Sequence, residues 1–138
     1  MTEWHVRSAA TADIDAVLSF WAASDAVRSS TDNPAALARL IEEFDALLLA
    51  ERAGAIVGTL IATWDGWRGN MYRLVVDQRH RRQGIALTLV AVGERRLAER
   101  GCRRLCALVT DEHEHAVRFW AAAGYGADPA MTRHVKMI

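Results

Sequence analysis

Disulfide-forming capacity, net charge and long apolar runs are all scarce in this chain. Its only cysteines, Cys102 and Cys106, lie four apart on a stretch that reads as strand, too distant to bridge. That excludes a disulfide-stapled scaffold and suits a reducing cytoplasm. Seventeen basic and 17 acidic side chains cancel, which argues against a general nucleic-acid binder, since these carry a clear basic excess. No apolar stretch approaches the roughly 18 residues that span a bilayer, so no membrane partner is expected. Residues 1–7 lack the basic head and apolar run of a secretory leader. Lysine is nearly missing, with Lys136 alone against sixteen arginines. Beside abundant alanine, that bias reads as a GC-rich bacterial genome rather than as chemistry.

What is present is ordinary globular material: 51% hydrophobic and 25% charged residues over 138 positions. The length predicts one domain, 1–138, able to bury roughly two-thirds of its unfolded surface. Neither a linker nor an internal repeat divides it.

Residues 4–9 read as a first strand. Thr11 then offers an N-cap to a helix whose apolar stripe is Ile14, Val17, Leu18 and Trp21. A polar loop, 24–32, leads to Asn33-Pro34, a capping residue before a proline at the first helical position. Leu37, Leu40, Ile41 and Phe44 repeat the stripe. Strands follow at 45–52, 55–64 and 70–77, joined at Ala53-Gly54 and Asp65-Gly66-Trp67-Arg68-Gly69, which is an antiparallel meander. In the second of these, Val57, Thr59 and Ile61 share one face while Ile56, Leu60 and Ala62 share the other, so both faces are covered. A helix over 83–100 closes at Gly101. A strand at 103–110, a helix capped by Asp111 with stripe Ala116, Phe119, Trp120 and Ala123, and a closing strand at 132–138 complete the order. The unit from 70 to 110 predicts a right-handed crossover with its strands parallel. The fold class is therefore α/β with a mixed sheet: mostly antiparallel strands, a central parallel pair, and helices on both faces.

The segment with chemical character is Leu74-Val75-Val76-Asp77-Gln78-Arg79-His80-Arg81-Arg82-Gln83-Gly84-Ile85-Ala86-Leu87. A strand ends, a basic loop follows, and a helix starts at small residues. Free amides and the dipole at a helix start suit a phosphate, and the arginines attract an anion. Neither the Gly-Lys-Ser/Thr of a P-loop nor a dinucleotide fingerprint is present.

Arg81-x-x-Gly84-x-Ala86 after this strand resembles the acetyl-CoA motif of the GNAT superfamily of N-acetyltransferases, Arg/Gln-x-x-Gly-x-Gly/Ala. His113-x-x-Ala116-x-x-Phe119-Trp120-x-x-x-Gly124-Tyr125 is similar to the family's Asn-x-x-Ala-x-x-Phe-Tyr-x-x-x-Gly-Phe. The element order matches essentially the whole chain, and the aromatic–Asp–Gly–x–Arg–Gly turn resembles a branch of small bacterial members. The resemblance implies acetyl-CoA as acyl donor and an amine acceptor, either a small molecule or a protein N-terminus; no metal is expected, since no third ligand joins His113 and His115. A homodimer is plausible by family habit.

Carried over by position, Leu74, Val75 and Val76 match the strand that pairs with the pantetheine arm. Arg81, Arg82, Gln83, Gly84, Ile85, Ala86 and Leu87 match the loop whose amides cradle the pyrophosphate. His113 stands where an asparagine often contacts the cofactor, and Trp120 where a tyrosine often stands near the thioester sulfur. The family opens a V between two central parallel strands, here 70–77 and 103–110.

Trp120 departs from the pattern, because an indole cannot supply the proton a leaving thiolate needs. It either fills the helix's inward stripe or shields the thioester. His113 reads as a plain surface or cofactor-edge histidine, with proton exchange as the alternative, and His115 two positions on should face elsewhere on the helix. The strand 70–76 holds no carboxylate, which leaves Asp65, in its turn, and Tyr72 as further catalytic candidates. Trp64, Asp65, Trp67 and Arg68 form one candidate acceptor patch. Trp21, Asp25, Arg28 and Ser29 form another, with Trp21 also completing its core stripe. The reading is direct amine attack in a ternary complex. The alternative is a non-catalytic acyl-CoA sensor or interaction module on the same fold.

Overall fold

The computed structural model describes residues 3–110 and 113–138. It forms two compact units, Met1–Leu108 and Val109–Ile138. The first unit runs β1 (Trp4–Ser8), α1 (Ile14–Ala23), α2 (Pro34–Glu42), β2 (Leu47–Arg52), β3 (Ala55–Trp64), β4 (Gly69–Val76), α3 (Ile85–Glu99) and β5 (Leu105–Ala107). The strands form one sheet in the order β1-β2-β3-β4-β5. All neighbours are antiparallel except β4 and β5. The expected mixed sheet with helices on both faces is present, but the parallel pair lies at the sheet's edge and not at its centre.

One face of the sheet packs on α1 and α2. Ile14, Val17, Trp21 and Leu37 share a core with Leu47, Leu49, Ile61 and Val75. The opposite face receives α3, and glycines set how close it comes. A Cβ on Gly93 would stand 3.1 Å from both Leu60 Cδ2 and Met71 Cε, and one on Gly58 would stand 2.9 Å from Ile85 Cγ2. With a helix layer on either side, residues 57–62 of β3 are all buried, as its apolar alternation predicts.

Several boundaries follow the sequence. Asn33 Oδ1 accepts from the Ala36 amide at 2.9 Å and Pro34 opens α2. Ala53 and Gly54 both take left-handed backbone, at φ of 50° and 80°, the geometry of a tight hairpin turn. At the end of α3 the Gly101 amide reaches the Ala98 carbonyl at 3.0 Å and the Cys102 amide reaches Leu97 at 3.0 Å, a Schellman closure with Gly101 left-handed.

Others differ, each for a physical reason. Thr11 caps nothing. Asp13 accepts from the Ala10 amide at 2.8 Å, held in place by two 2.8 Å hydrogen bonds from Arg7. Phe44 lies beyond α2, which ends at Glu42, and is half exposed. Ile56 packs with the α1–α2 core, because the pairing runs Ala50 to Gly58 and then Glu51 to Ile56. Val57 is thus the extra residue of a bulge, and the alternation shifts by one. The strand expected over 103–110 pairs only through Leu105, Cys106 and Ala107.

In the second unit, α4 (Glu114–Ala122) carries the stripe Ala116, Phe119 and Trp120, with Trp120 buried. The cap expected at Asp111 lies outside the described residues, and His113 occupies the N-cap position. Residues 132–138 form no strand. Val135 and Met137 there are 67% and 62% exposed.

Candidate active site

β4 is bulged where it matters most. Its register against β3 runs Ile61 to Tyr72 and then Thr59 to Val75. Arg73 and Leu74 therefore oppose Leu60 alone, with Arg73 left-handed at φ 55°. The bulge turns the Arg73 side chain onto the α1–α2 face beside Tyr72, where strict alternation would have sent it toward α3. There its guanidinium donates to the Val27 carbonyl at 2.6 Å and to Asp32 Oδ1 at 2.7 Å, and it stacks 5.1 Å from the Trp21 ring. Trp21 Nε1 donates to Thr59 Oγ1 at 2.9 Å, and that hydroxyl donates to the Arg73 carbonyl at 2.8 Å. Four residues thus lock helix α1, the 24–32 loop and the bulge together.

β5 pairs with β4 only from Gly69 to Met71. Beyond that point the edge formed by Leu74, Val75 and Val76 has no strand neighbour on the β5 side among the described residues. Asp77 then starts the basic loop. Its carboxylate accepts from the Arg79 amide at 2.9 Å and pairs with the Arg79 guanidinium at 3.0 Å, which holds the carboxyl below its usual range. The loop enters α3 through Arg82 at φ 65° and Gly84 at φ 82°. Arg81, Arg82, Gln83 and Gly84 are all exposed, Ile85 is buried, and Leu87 lies on the surface.

The first helical hydrogen bond joins the Thr88 amide to the Gly84 carbonyl at 3.0 Å. The amides of Ile85, Ala86 and Leu87 accordingly face out of the helix start, where the dipole favours an anion. A Cβ on Gly84 would meet nothing within 4 Å, so the space before these amides is open. These residues fit the pyrophosphate of CoA, with Arg81 and Arg82 as exposed cations beside it.

The acceptor candidates divide into two separate groups. Trp21, Arg28 and Ser29 line a cavity of about 240 Å³ together with Leu18, Ala26, Asp32 and Arg73. Trp21 is 4% exposed, a core residue that offers this cavity only part of its ring. Asp25 is exposed, and its carboxylate stands 3.9 Å from the Arg81 guanidinium, which joins the 24–32 loop to the basic loop. Trp64, Asp65, Trp67 and Arg68 instead sit at the β3–β4 hairpin, roughly 20 Å away along β4 at about 3.3 Å per residue. Asp65 Oδ1 accepts from the Trp67 and Arg68 amides, both at 2.8 Å. Those amides hold its carboxyl below the usual range, which suits a turn support and weakens a base. Arg68 stacks 4.1 Å over the exposed Trp67 ring, while the Trp64 ring packs beside Gly101.

Tyr72 is half-buried and packs against the α1–α2 core next to Arg73. In the second unit His113 precedes α4, so its ring stacks on His115 with centroids 5.7 Å apart; within a helix the two would have diverged. Trp120 meets Tyr125 edge-on at 4.9 Å. Among the described residues no three His, Cys, Asp or Glu side chains converge as metal ligands, and no helix is long and apolar enough to cross a membrane.

Arg73, Asp32, Thr59 and Asp77 were not singled out from sequence. Asp77 carried a readable signal, an aspartate between a strand end and a basic loop. Arg73 carried none, because only the bulge gives it its direction.

Comparison with known proteins identifies the family and the fold. Residues 14–125 match the Acetyltransferase (GNAT) family. The chain is 30% identical over 127 residues to an acetyltransferase of Pectobacterium atrosepticum, covering 91% of this chain and 90% of that one. With an acetyltransferase of Photorhabdus laumondii it shares 32% over 106 residues, 76% and 74% of the two chains. The fold superposes on the aminoglycoside acetyltransferase AAC(6')-Iy, bound to a CoA–acetylneamine analogue, with TM-score 0.77 at 16% identity, covering 99% and 100% of the two chains. The chain belongs to the GNAT family of acetyl-CoA-dependent N-acetyltransferases.

Proposed function

We propose that this chain moves an acetyl group from acetyl-CoA to a primary amine by direct attack within a ternary complex. The family match spans both compact units, which supports the whole chain acting as one domain. The neutral amine nitrogen bonds to the acetyl carbon, the carbon–sulfur bond breaks, and the amine's proton passes to solvent or a nearby base as the thiolate takes one up. Leu74, Val75 and Val76 would pair with the pantetheine arm along the edge that β5 leaves uncovered. Arg81 to Leu87 would hold the pyrophosphate. Of the catalytic candidates, Tyr72 precedes the bulge and shares the α1–α2 face with Arg73, and it is our choice for relaying the amine's proton.

Direct transfer is favoured over an acyl-enzyme by the state of the cysteines. Both are free, and the Cys102 thiol is buried and donates to the Arg104 carbonyl at 3.4 Å, with no activating base at hand. Free thiols also accord with a cytoplasmic setting.

The observation that carries this reading is the start of α3. A left-handed Gly84 presents outward amides behind two exposed arginines, at the end of an unpaired strand edge. Calorimetry with acetyl-CoA tests it directly. Micromolar binding is expected, and Gly84→Glu should abolish it by placing a carboxylate in the phosphate's space. A folded protein that binds no acetyl-CoA would sink the proposal.

A further inference from the structure

The cavity beside Arg73 has a charge balance that discriminates among amines. Two of its charged walls neutralise each other, because Arg73 donates to Asp32 at 2.7 Å while also holding the Val27 carbonyl. Asp25, the next carboxylate along the loop, lies beside Arg81. Arg28 is different. It lines the same cavity, and among the described residues no side chain or carbonyl answers its charge. Apart from Ser29, the remaining wall is apolar, made by Leu18, Ala22, Ala26 and the Trp21 ring. Arg73 belongs both to this wall and to the β4 bulge, one residue before the strand segment assigned to pantetheine.

We propose that the acceptor is a small amine carrying its own carboxylate beside an aliphatic or aromatic body, a free α-amino acid of about leucine or methionine size, with Arg28 taking the carboxylate. This rests on the transferase reading above. A polycationic acceptor is disfavoured by charge. Several ammonium groups need several carboxylates, whereas the cavity's single carboxylate, Asp32, is already held by Arg73. An amino-acid acceptor supplies the anion that Arg28 lacks and fits its side chain to the apolar wall.

The test measures thiol release from acetyl-CoA with L-leucine, L-methionine and L-phenylalanine, each against its carboxamide, and with neamine as the polycation. The carboxamide is the harder competitor, since its less basic amine is more often neutral. The acid should nevertheless win by about 10- to 100-fold in kcat/KM, the range expected of a hydrogen bond to a charged group. Arg28→Gln should erase that ratio through the acceptor's KM, with acetyl-CoA affinity by calorimetry unchanged. Arg28 is exposed, so the variant should fold. Equal or faster turnover of the carboxamides or of neamine overturns the proposal, as does an acid preference that survives Arg28→Gln. Acetyl-CoA binding with no amino-acid turnover overturns this acceptor class alone, whereas absence of acetyl-CoA binding removes the transferase reading itself.

Discussion

The Arg73 guanidinium meets the Asp32 carboxylate at 2.7 Å across 41 residues of chain, and both side chains are at most one-fifth exposed. The pair ties a loop with no secondary structure of its own to the one irregular point of β4. Removing one partner leaves the other charge poorly solvated. Asp32→Asn should therefore lower stability by about 1–3 kcal/mol, seen as a lower urea midpoint with unchanged slope. Thr59→Val should cost a similar amount, about 1–3 kcal/mol, because it strips a partner from both Trp21 Nε1 and the Arg73 carbonyl. The Asp32–Thr59 double variant should lose less than the sum of the two, since both act through Arg73.

A second ion cluster adds stability that is lost in acid. Arg7 donates to Asp13 and, at 2.7 Å, to Glu51, and the guanidinium holds the Asp13 carboxyl down from 3.8 to about 2. A carboxyl whose folded pKa is depressed stabilises the fold above its unfolded pKa. That contribution fades as pH falls from about 4 toward about 2. Asp13→Asn should flatten the loss of stability across this window and lower stability near neutrality. Urea midpoints collected from pH 5 to pH 2 check both points, and an unchanged acid slope would refute the assignment.

The contrast between those two clusters explains what sequence could and could not reveal. Helix ends marked by local chemistry were legible: Asn33-Pro34 at the start of α2 and Gly101 at the end of α3 each act within a few residues of themselves. The basic loop before α3 was legible for the same reason. Features that depend on a partner strand were not. One extra residue at Val57 moves Ile56 to the other face, and the bulge at Arg73 and Leu74 creates a contact to Asp32 that no periodicity shows. A closing strand was expected at 132–138, but a strand needs a pairing neighbour, which the local sequence does not supply. Thr11 lost its expected cap to Asp13 because Arg7, on a different element, orients the aspartate.

Close approach of α3 to the sheet gives a third prediction. Gly93 faces Leu60, Met71 and Ala62 with a hypothetical Cβ already at 3.1–3.3 Å. Gly93→Val adds two further methyls there, which should cost about 1–3 kcal/mol through overpacking. Gly126, where a Cβ meets nothing within 4 Å, is the control: Gly126→Ala should be nearly neutral, within about 0.5 kcal/mol. Thermal midpoints compare the two variants, and equal shifts would mean that α3 does not pack as closely as described.

The last prediction concerns how the basic loop keeps its shape. Arg79 is exposed, yet its amide and guanidinium both bind Asp77, whose own amide donates to the Val57 carbonyl at 2.9 Å. Asp77 therefore anchors the loop to β3 at one end and orders its first turn at the other. The left-handed Arg82 and Gly84 that follow must present the α3 amides without help from a side-chain cap. Asp77→Ala releases that first turn, so more conformations must be frozen out when acetyl-CoA binds, and affinity should fall by about tenfold. The fold should survive, since Asp77 lies outside the core. Asp77→Asn keeps an acceptor for the Arg79 amide while removing the charge. It should recover most of the affinity, and the recovery should not depend on salt. Calorimetry at two ionic strengths separates this ordering role from a simple charge effect, in which Asp77→Ala would bind the anionic ligand more tightly than the parent.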